Sequence, residues 1–155
     1  GYDDKLYQRK NNEKQKNLVK WRRPRATSCG QKETMKIREI KELLHCRVLC
    51  GEEMLDRDVH SACGSDMMSD VLAYAKNKAV LLTGLLNIQV VRTADVSDIA
   101  AIIFVRDKHP ESDVLMAAKR KDIPVLYTKC PMFEACGRLY SLGLRGCTAK
   151  DAESR

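Results

Sequence analysis

Polar and basic side chains follow the ends of four apolar segments, which is where α/β proteins place their ligand-binding groups. The candidate residues are Ser65, Asp66, Thr83, Asn87, Arg106, Lys108 and Thr128. Arg106 and Lys108 would supply positive charge, and hydroxyls with free helix amides would complete an anion site. The pattern predicts a site for a small anionic metabolite or a nucleotide. The alternative interpretation, which the sequence favours slightly, is that these are ordinary loop residues.

Ser65 and Asp66 stand at a corner between a predicted strand and a predicted helix. Residues 58–63 alternate apolar and polar side chains, which predicts a half-buried strand. Asp66 would then cap the helix that follows, in which four apolar residues share one face. These residues are Met68, Val71, Leu72 and Ala75. A catalytic pair of Asp66 and Asp70 is the alternative, but capping and solvation account for both carboxylates.

The chain has seven cysteines, and their spacing argues against a metal site. No Cys-x-x-Cys pair occurs, and Cys46 and Cys50 would lie about 13 Å apart on one strand face, too far to share an ion. We therefore expect reduced, mostly buried thiols, with no metal and no cofactor. Cys130 leaves an alternative open, because the dipole of a following helix would acidify its thiol for redox chemistry.

The sequence contains no recognisable catalytic motif. Its three histidines have no Ser or Cys partner at a familiar spacing, and none of its eight glycines begins a phosphate-binding P-loop. A Rossmann glycine fingerprint is also missing. His109, beside a proline, is interpreted as a surface residue. We therefore expect that the protein is not an enzyme.

The excess of basic residues belongs to the first 34 positions. These carry ten Lys or Arg against four Asp or Glu, whereas residues 35–155 carry eighteen against seventeen. A disordered basic extension is predicted for residues 1–34, and a polar tail for residues 147–155. Because the remainder has no basic face with interleaved aromatic residues, nucleic acid is not an expected partner. No apolar run reaches the length of a membrane span, so no membrane association is expected.

Residues 35–146 are predicted to form one domain of alternating strands and helices. Strands are predicted at 47–50, 58–63, 79–83, 100–105 and 124–127, and helices at 37–44, 66–78, 112–120 and 131–143. Residues 87–96 fit a strand or a helix, and the alternation favours a crossover helix begun by Asn87. The fold class is therefore α/β, with three layers: a mostly parallel sheet, helices on both faces and an antiparallel edge. A further hypothesis is that the natural chain starts at Met35, because residues 31–35 can be encoded by a ribosome-binding sequence and a start codon.

Several stretches of the chain resemble the DRTGG domain, a small regulatory module related in fold to the N-terminal domain of HPr kinase. The stretches are LDRDV at 55–59, SDMMSDV at 65–71, IAAIIF at 99–104, KDIPVL at 121–126 and FEACGRLY at 133–140. One departure is His60, Ser61 and Ala62, where similar domains often have Thr-Gly-Gly. Because glycine lets a backbone approach a ligand closely, this departure argues against a tight phosphate contact at that strand.

The resemblance implies a non-catalytic, cytoplasmic regulatory domain that senses a small anionic metabolite or nucleotide and signals to an associated enzyme. It also implies a homodimer. Free-standing short versions of the domain look like accessory proteins of anaerobic bacteria. The alternative function is a protein–protein adaptor, or accessory subunit, for redox or hydrogenase-type machinery that takes no small-molecule ligand.

Overall fold

Seven strands and five helices lie between residues 34 and 146, which are the residues that the computed structural model describes. The strands are β1 Met35–Lys36, β2 Arg47–Cys50, β3 Asp58–Val59, β4 Ser61–Gly64, β5 Ala79–Thr83, β6 Ala101–Phe104 and β7 Val125–Tyr127. The helices are α1 Ile37–Leu43, α2 Met68–Tyr74, α3 Gln89–Val96, α4 Ser112–Arg120 and α5 Met132–Ser141. A short 3₁₀ helix spans Glu52–Met54. The predicted basic extension and polar tail lie outside the described residues, apart from residue 34, and stay predictions. The hypothesis that the natural chain starts at Met35 also stays a prediction.

A five-stranded sheet in the order β2-β7-β6-β5-β4 forms the middle layer. Strands β4, β5, β6 and β7 are parallel, and β2 pairs antiparallel with β7 at one edge. The short strands β1 and β3 form a separate antiparallel pair. This arrangement confirms the predicted fold class, including the antiparallel edge.

Helices cover both faces of the sheet, and every side chain of the two central strands is therefore buried. All residues of β5 and β6 are buried, as is typical of parallel strands packed on both sides. Along β5, Val80 and Leu82 pack into a core with α1 and α5, and Leu81 packs into a second core with α2, α3 and α4. The alternation of one strand therefore divides the hydrophobic core into two layers.

The ambiguous segment at 87–96 is a helix, as the alternation of elements favoured. Asn87 precedes α3, and its Oδ1 accepts a hydrogen bond from the Gln89 N–H at 3.0 Å. Val90 and Val91 face the second core, and the side chains on the opposite surface are exposed. The β-branched Val90 and Val91 therefore pack against one face of the sheet from a helix instead of pairing in a strand.

The single strand predicted over residues 58–63 is wrong. The structure divides it at His60, whose N–H donates to the Lys78 carbonyl at 3.0 Å, so that β3 pairs with β1 and β4 pairs with β5. The helix after the corner is also shorter than predicted, because Ala75 has extended backbone (ψ 136). Leu72, assigned to its apolar face, is 50% exposed.

The predicted ends of the last helix agree with the structure to within two residues. Pro131 precedes α5 rather than starting it, and Gly143 follows with a φ of 103°. The Gly143 N–H donates to the Tyr140 carbonyl and the Leu144 N–H to the Leu139 carbonyl, which satisfies the last turn. Among the helices of residues 34–146, none combines the length and the apolar character that crossing a bilayer demands.

Candidate functional site

The predicted site residues lie at the carboxyl edge of the sheet, where β4, β5, β6 and β7 all end. Asp66 follows β4, Thr83 ends β5, and Arg106 follows β6. Because the strands are parallel and adjacent, residues 17 and 40 positions apart in sequence meet at one point. The structure therefore brings Asp66, Thr83 and Arg106 into direct contact.

The Asp66 carboxylate is the centre of this contact. Its Oδ1 accepts from the Gly84 N–H at 2.6 Å and from the Thr83 hydroxyl at 3.2 Å, and its Oδ2 accepts from Arg106 Nη2 at 3.2 Å. The Gly84 hydrogen bond, followed by Thr83 and Arg106, lowers the pKa of Asp66 from its usual 3.8, against an opposing effect of burial. These four residues are called the edge cluster below.

The role predicted for Asp66 as a helix cap is wrong. Met67 occupies the N-cap position of α2, and no side chain caps that helix. Asp66 points across the sheet edge instead, because Ser65 makes the turn: its Oγ accepts from the Met67 N–H at 3.0 Å. The corner therefore delivers Asp66 to the neighbouring strands and leaves it free to bind their donors.

Arg106 reaches Asp66 through an unusual backbone. Arg106 and Asp107 both lie in the left-handed region, with φ of 61° and 55°, a conformation uncommon for residues other than glycine. The Arg106 N–H donates to the Cys130 carbonyl at 3.0 Å, which ties this turn to the next loop. The Arg106 side chain is 48% exposed, so its guanidinium is accessible from solvent.

Gly84 is the member of the edge cluster that sequence reasoning missed. A Cβ built on Gly84 would collide with the guanidinium group of Arg106, so the absence of a side chain lets that group lie over the backbone. Gly84 also supplies the shortest hydrogen bond to Asp66. Its position directly after a buried strand was the available signal, since close backbone approach is a common reason for glycine there.

The other predicted site residues serve other contacts. Thr128 is buried, donates its hydroxyl to the Leu44 carbonyl at 2.6 Å and accepts from the Cys130 N–H at 3.1 Å. Its hydroxyl therefore joins α1 to the loop before α5 instead of facing the edge cluster. Asn87 lies two residues before α3, whose N-cap is Ile88, so the predicted start of this helix at Asn87 is wrong by two residues. Lys108 is an exposed residue two positions after Arg106.

The residues that replace Thr-Gly-Gly lie at the other end of strand β4. His60 precedes β4, Ser61 is its first residue, and the edge cluster begins beyond its last residue, Gly64. At about 3.3 Å per residue, these positions are roughly 10 Å or more from Asp66 along the strand. The departure from the family's pattern therefore leaves the edge cluster unchanged.

The cysteines of the described region are free thiols in apolar surroundings. Burial raises the pKa of Cys46 to about 12, and it also raises the pKa of Cys50 and Cys136. Cys130 does not cap α5, a position held by Pro131, and burial raises the pKa of its thiol as well. An acidified redox thiol at Cys130 is therefore contradicted. Within residues 34–146, no three His, Cys, Asp or Glu side chains are grouped as metal ligands would be.

The fold and the sequence together define the family. The sequence model of the DRTGG domain matches residues 39–142, two thirds of the chain. The chain therefore belongs to the DRTGG domain family. No curated protein sequence matches it significantly.

One solved structure that is similar to this chain contains a DRTGG domain together with CBS domains. It is the crystal structure of the CBS and DRTGG domains of the regulatory region of Clostridium perfringens pyrophosphatase, complexed with its activator diadenosine tetraphosphate. The TM-score is 0.53 at 16% sequence identity, over 70% of this chain and 48% of that chain. The likeness shows the fold, and the present chain spans about half the length of that regulatory region.

Proposed function

We propose that the protein is a non-catalytic regulatory domain that senses a small anionic metabolite or nucleotide at the edge cluster. Membership of the DRTGG family supports a regulatory role. The neighbouring pyrophosphatase structure, a regulatory region with a dinucleotide activator, supports a nucleotide as ligand and an enzyme as the protein that receives the signal. The domain would act on an enzyme carried by another chain or another segment.

The observation that carries this proposal is the exposed ion pair between Arg106 and Asp66. Both side chains are about half exposed, at 48% and 51%, and a pair of this kind contributes about 0–1 kcal/mol. An incoming phosphate can therefore take the guanidinium from Asp66 at small cost and form a bidentate contact. Asp66 would keep its hydrogen bonds to Gly84 and Thr83, so the site survives the exchange.

The exchange would also give the ligand a route to the rest of the molecule. The turn that carries Arg106 is hydrogen-bonded to the loop before α5, through Cys130 and, from the Asp107 N–H, through the Thr128 carbonyl at 2.9 Å. A ligand that reorients Arg106 acts on this loop and on the helix that follows. Helix α5 lies on the molecular surface, where a partner enzyme can contact it.

Isothermal titration calorimetry with diadenosine tetraphosphate, ATP, ADP and AMP tests the proposal. We expect saturable heat with at least one nucleotide, and Arg106→Ala should weaken its binding about tenfold or more, since it removes a charge-assisted contact. Arg92→Ala, which removes an exposed arginine from α3, is the matched control and should leave the affinity unchanged. Absence of heat with all four nucleotides, or equal affinity of the Arg106→Ala protein, would contradict the proposal.

A protein–protein adaptor without a small ligand is the second candidate, and the surface of α5 favours it. Phe133 is 86% exposed and Tyr140 is 60% exposed, seven residues apart on one helix face. Exposed aromatic side chains of this kind are common in protein interfaces. Native mass spectrometry separates the two candidates, because a retained small molecule supports a sensor and an empty protein supports an adaptor.

We also propose that the protein is a cytoplasmic homodimer. The free thiols of residues 34–146 support a reducing compartment, and the apolar face of α5 supports self-association. Sedimentation velocity should show a dimer that Phe133→Ser dissociates. The control is Met116→Ser, which removes a half-exposed apolar side chain on α4 and should leave the dimer intact.

A further inference from the structure

A second groove lies at the same edge of the sheet, on the side of β2 and β7. It has a volume of about 690 Å³ and lies between the end of α1, the loop after β7 and the first turns of α5. Small-molecule sites commonly occupy clefts of about 300–1,000 Å³. The groove shares no lining residue with the edge cluster.

Three positively charged side chains converge on this groove from three different elements. Arg47 comes from β2, Lys129 from the loop after β7, and Arg138 from α5, and His45 also lines the groove. The one carboxylate among the lining residues is that of Glu134. The groove is therefore positively charged although residues 35–155 as a whole are almost neutral.

Glu134, the one carboxylate among the lining residues, lies a helical turn before Arg138 but forms no ion pair with these cations. None of Arg47, Lys129 and Arg138 forms an ion pair with a residue between 34 and 146. Elsewhere in the described part of the chain, Lys36, Arg38 and other basic residues do have carboxylate partners. A concave surface that gathers unpaired cations attracts anions and concentrates them locally.

The backbone that carries these cations is held in place. Thr128, which also lines the groove, is buried and hydrogen-bonded to the Leu44 carbonyl, so the loop carrying Lys129 is anchored to the end of α1. Arg47 lies on a strand paired with β7, and Arg138 lies within a helix. A rigid frame of this kind limits the conformational entropy lost when a ligand binds.

We propose that this groove binds a phosphorylated small molecule carrying two or more negative charges. Two planar guanidinium groups and an ammonium group suit phosphate oxygens, and arginine binds them in bidentate fashion. The bounded volume favours a small ligand over an extended acidic protein segment, which needs a larger surface. Neither the edge cluster nor the exchange of Arg106 is required for this second site.

Titration of the ¹⁵N-labelled full chain with inorganic pyrophosphate, followed by NMR, tests the proposal. We expect saturable shifts of the amide signals of residues 45–47, 128–130 and 132–134. Arg47→Gln and Arg138→Gln should each weaken binding about threefold or more, as the loss of one ionic contact predicts. Arg120→Gln, an exposed arginine at the end of α4, should bind as the unchanged protein does, and the spectra themselves verify that each variant is folded.

Arg106→Ala separates this site from the proposed function. It should leave the pyrophosphate shifts at residues 128–134 saturable with an unchanged dissociation constant, whatever it does to nucleotide binding. The proposal is overturned if pyrophosphate produces no saturable shift there, or if the shifts are equal in the Arg138→Gln protein. Stronger binding of a poly-glutamate peptide than of pyrophosphate would overturn it in favour of an acidic protein partner.

Discussion

Asp66 connects three segments that are far apart in the sequence. One carboxylate accepts hydrogen bonds from the backbone and hydroxyl at the end of β5 and from the guanidinium after β6. The 2.6 Å hydrogen bond from Gly84 is the largest cause of its lowered pKa. The residue therefore has a structural part, directed at Gly84 and Thr83, and a second part, directed at Arg106, which we propose a ligand exchanges.

The structural part of this role predicts an acid-dependent loss of stability. Asp66→Ala should lower the free energy of unfolding at pH 7 by about 1 kcal/mol, a figure reduced for the exposure of the carboxylate. Because the folded pKa lies below 3.8, this contribution is complete above that pH and is lost as the pH falls through the folded pKa. The difference between the two proteins in urea unfolding should therefore shrink below about pH 4.

Asp70→Ala is the control for this experiment. Asp70 is an exposed carboxylate in the first turn of α2, and its removal should cost about 0.5 kcal/mol or less. If Asp66→Ala costs no more than Asp70→Ala at pH 7, the hydrogen bonds to Gly84 and Thr83 contribute nothing to stability, and the structural role is contradicted.

At the scale of single residues, the sequence predicts which residues lie at the site but not which groups they contact. Asp66, Thr83 and Arg106 were all chosen from their positions after apolar segments, and the structure brings these three together. The local pattern made Asp66 a cap because capping is the commonest use of an aspartate before a helix. Its actual partners are set by strand order, which no local pattern contains.

At the scale of elements, two glycines show opposite reasons for having no side chain. Gly51, after β2, has a φ of 80°, and a Cβ there would stand 2.6 Å from the Pro124 Cα. Gly137 lies in the middle of α5, where an added Cβ would meet no atom within 4 Å among the described residues. The first glycine lets the chain pass closely against β7, whereas the second only weakens its helix.

The same substitution should therefore change stability in opposite directions at these two positions. Gly51→Ala should lower the free energy of unfolding by about 2 kcal/mol or more, from the strained backbone and the collision with Pro124. Gly137→Ala should raise it by about 0.5–1 kcal/mol, the difference in helix propensity. Urea unfolding measures both, at a protein concentration low enough to keep the proposed dimer apart, and a loss of stability in Gly137→Ala under those conditions would contradict the expected gain in helix propensity.

Helices and strands were predictable from the sequence where a single hydrophobic pattern dominated. They were not predictable where two different strands pair with the two halves of one segment. Strands β5 and β6 are continuous apolar runs and were found from their composition. Residues 58–63 are predicted as one strand, yet β1 pairs with the first half and β5 with the second. Two polar residues in succession, His60 and Ser61, stand where the strand divides. Pairing partners at least 18 residues away decide such a case, and the alternation alone cannot show them.

For the whole molecule, the limits of the family match and those of the hydrophobic core differ. The match covers residues 39–142, but the core on the side of α1 and α5 also contains Met35, Ile37 and Leu144. Ile37 is fully buried, and Leu144 is 2% exposed. After Leu144, the Arg145 carbonyl accepts from the Ala62 N–H at 3.0 Å, so the backbone at Arg145 also covers the outer edge of β4.

A chain limited to residues 39–142 should therefore fail to fold stably, whereas residues 34–146 should fold cooperatively. Each large apolar side chain removed from this core contributes about 1.5–3 kcal/mol of burial, so the three together approach the total stability of a small domain, about 5–15 kcal/mol. Uncovering the edge of β4 adds to the loss and favours aggregation. Circular dichroism during urea unfolding should show a sigmoidal transition for 34–146 and a much lower midpoint, or none, for 39–142. Equal midpoints would mean that the family's limits are also the limits of the folding unit and that the packing of Ile37 and Leu144 is dispensable.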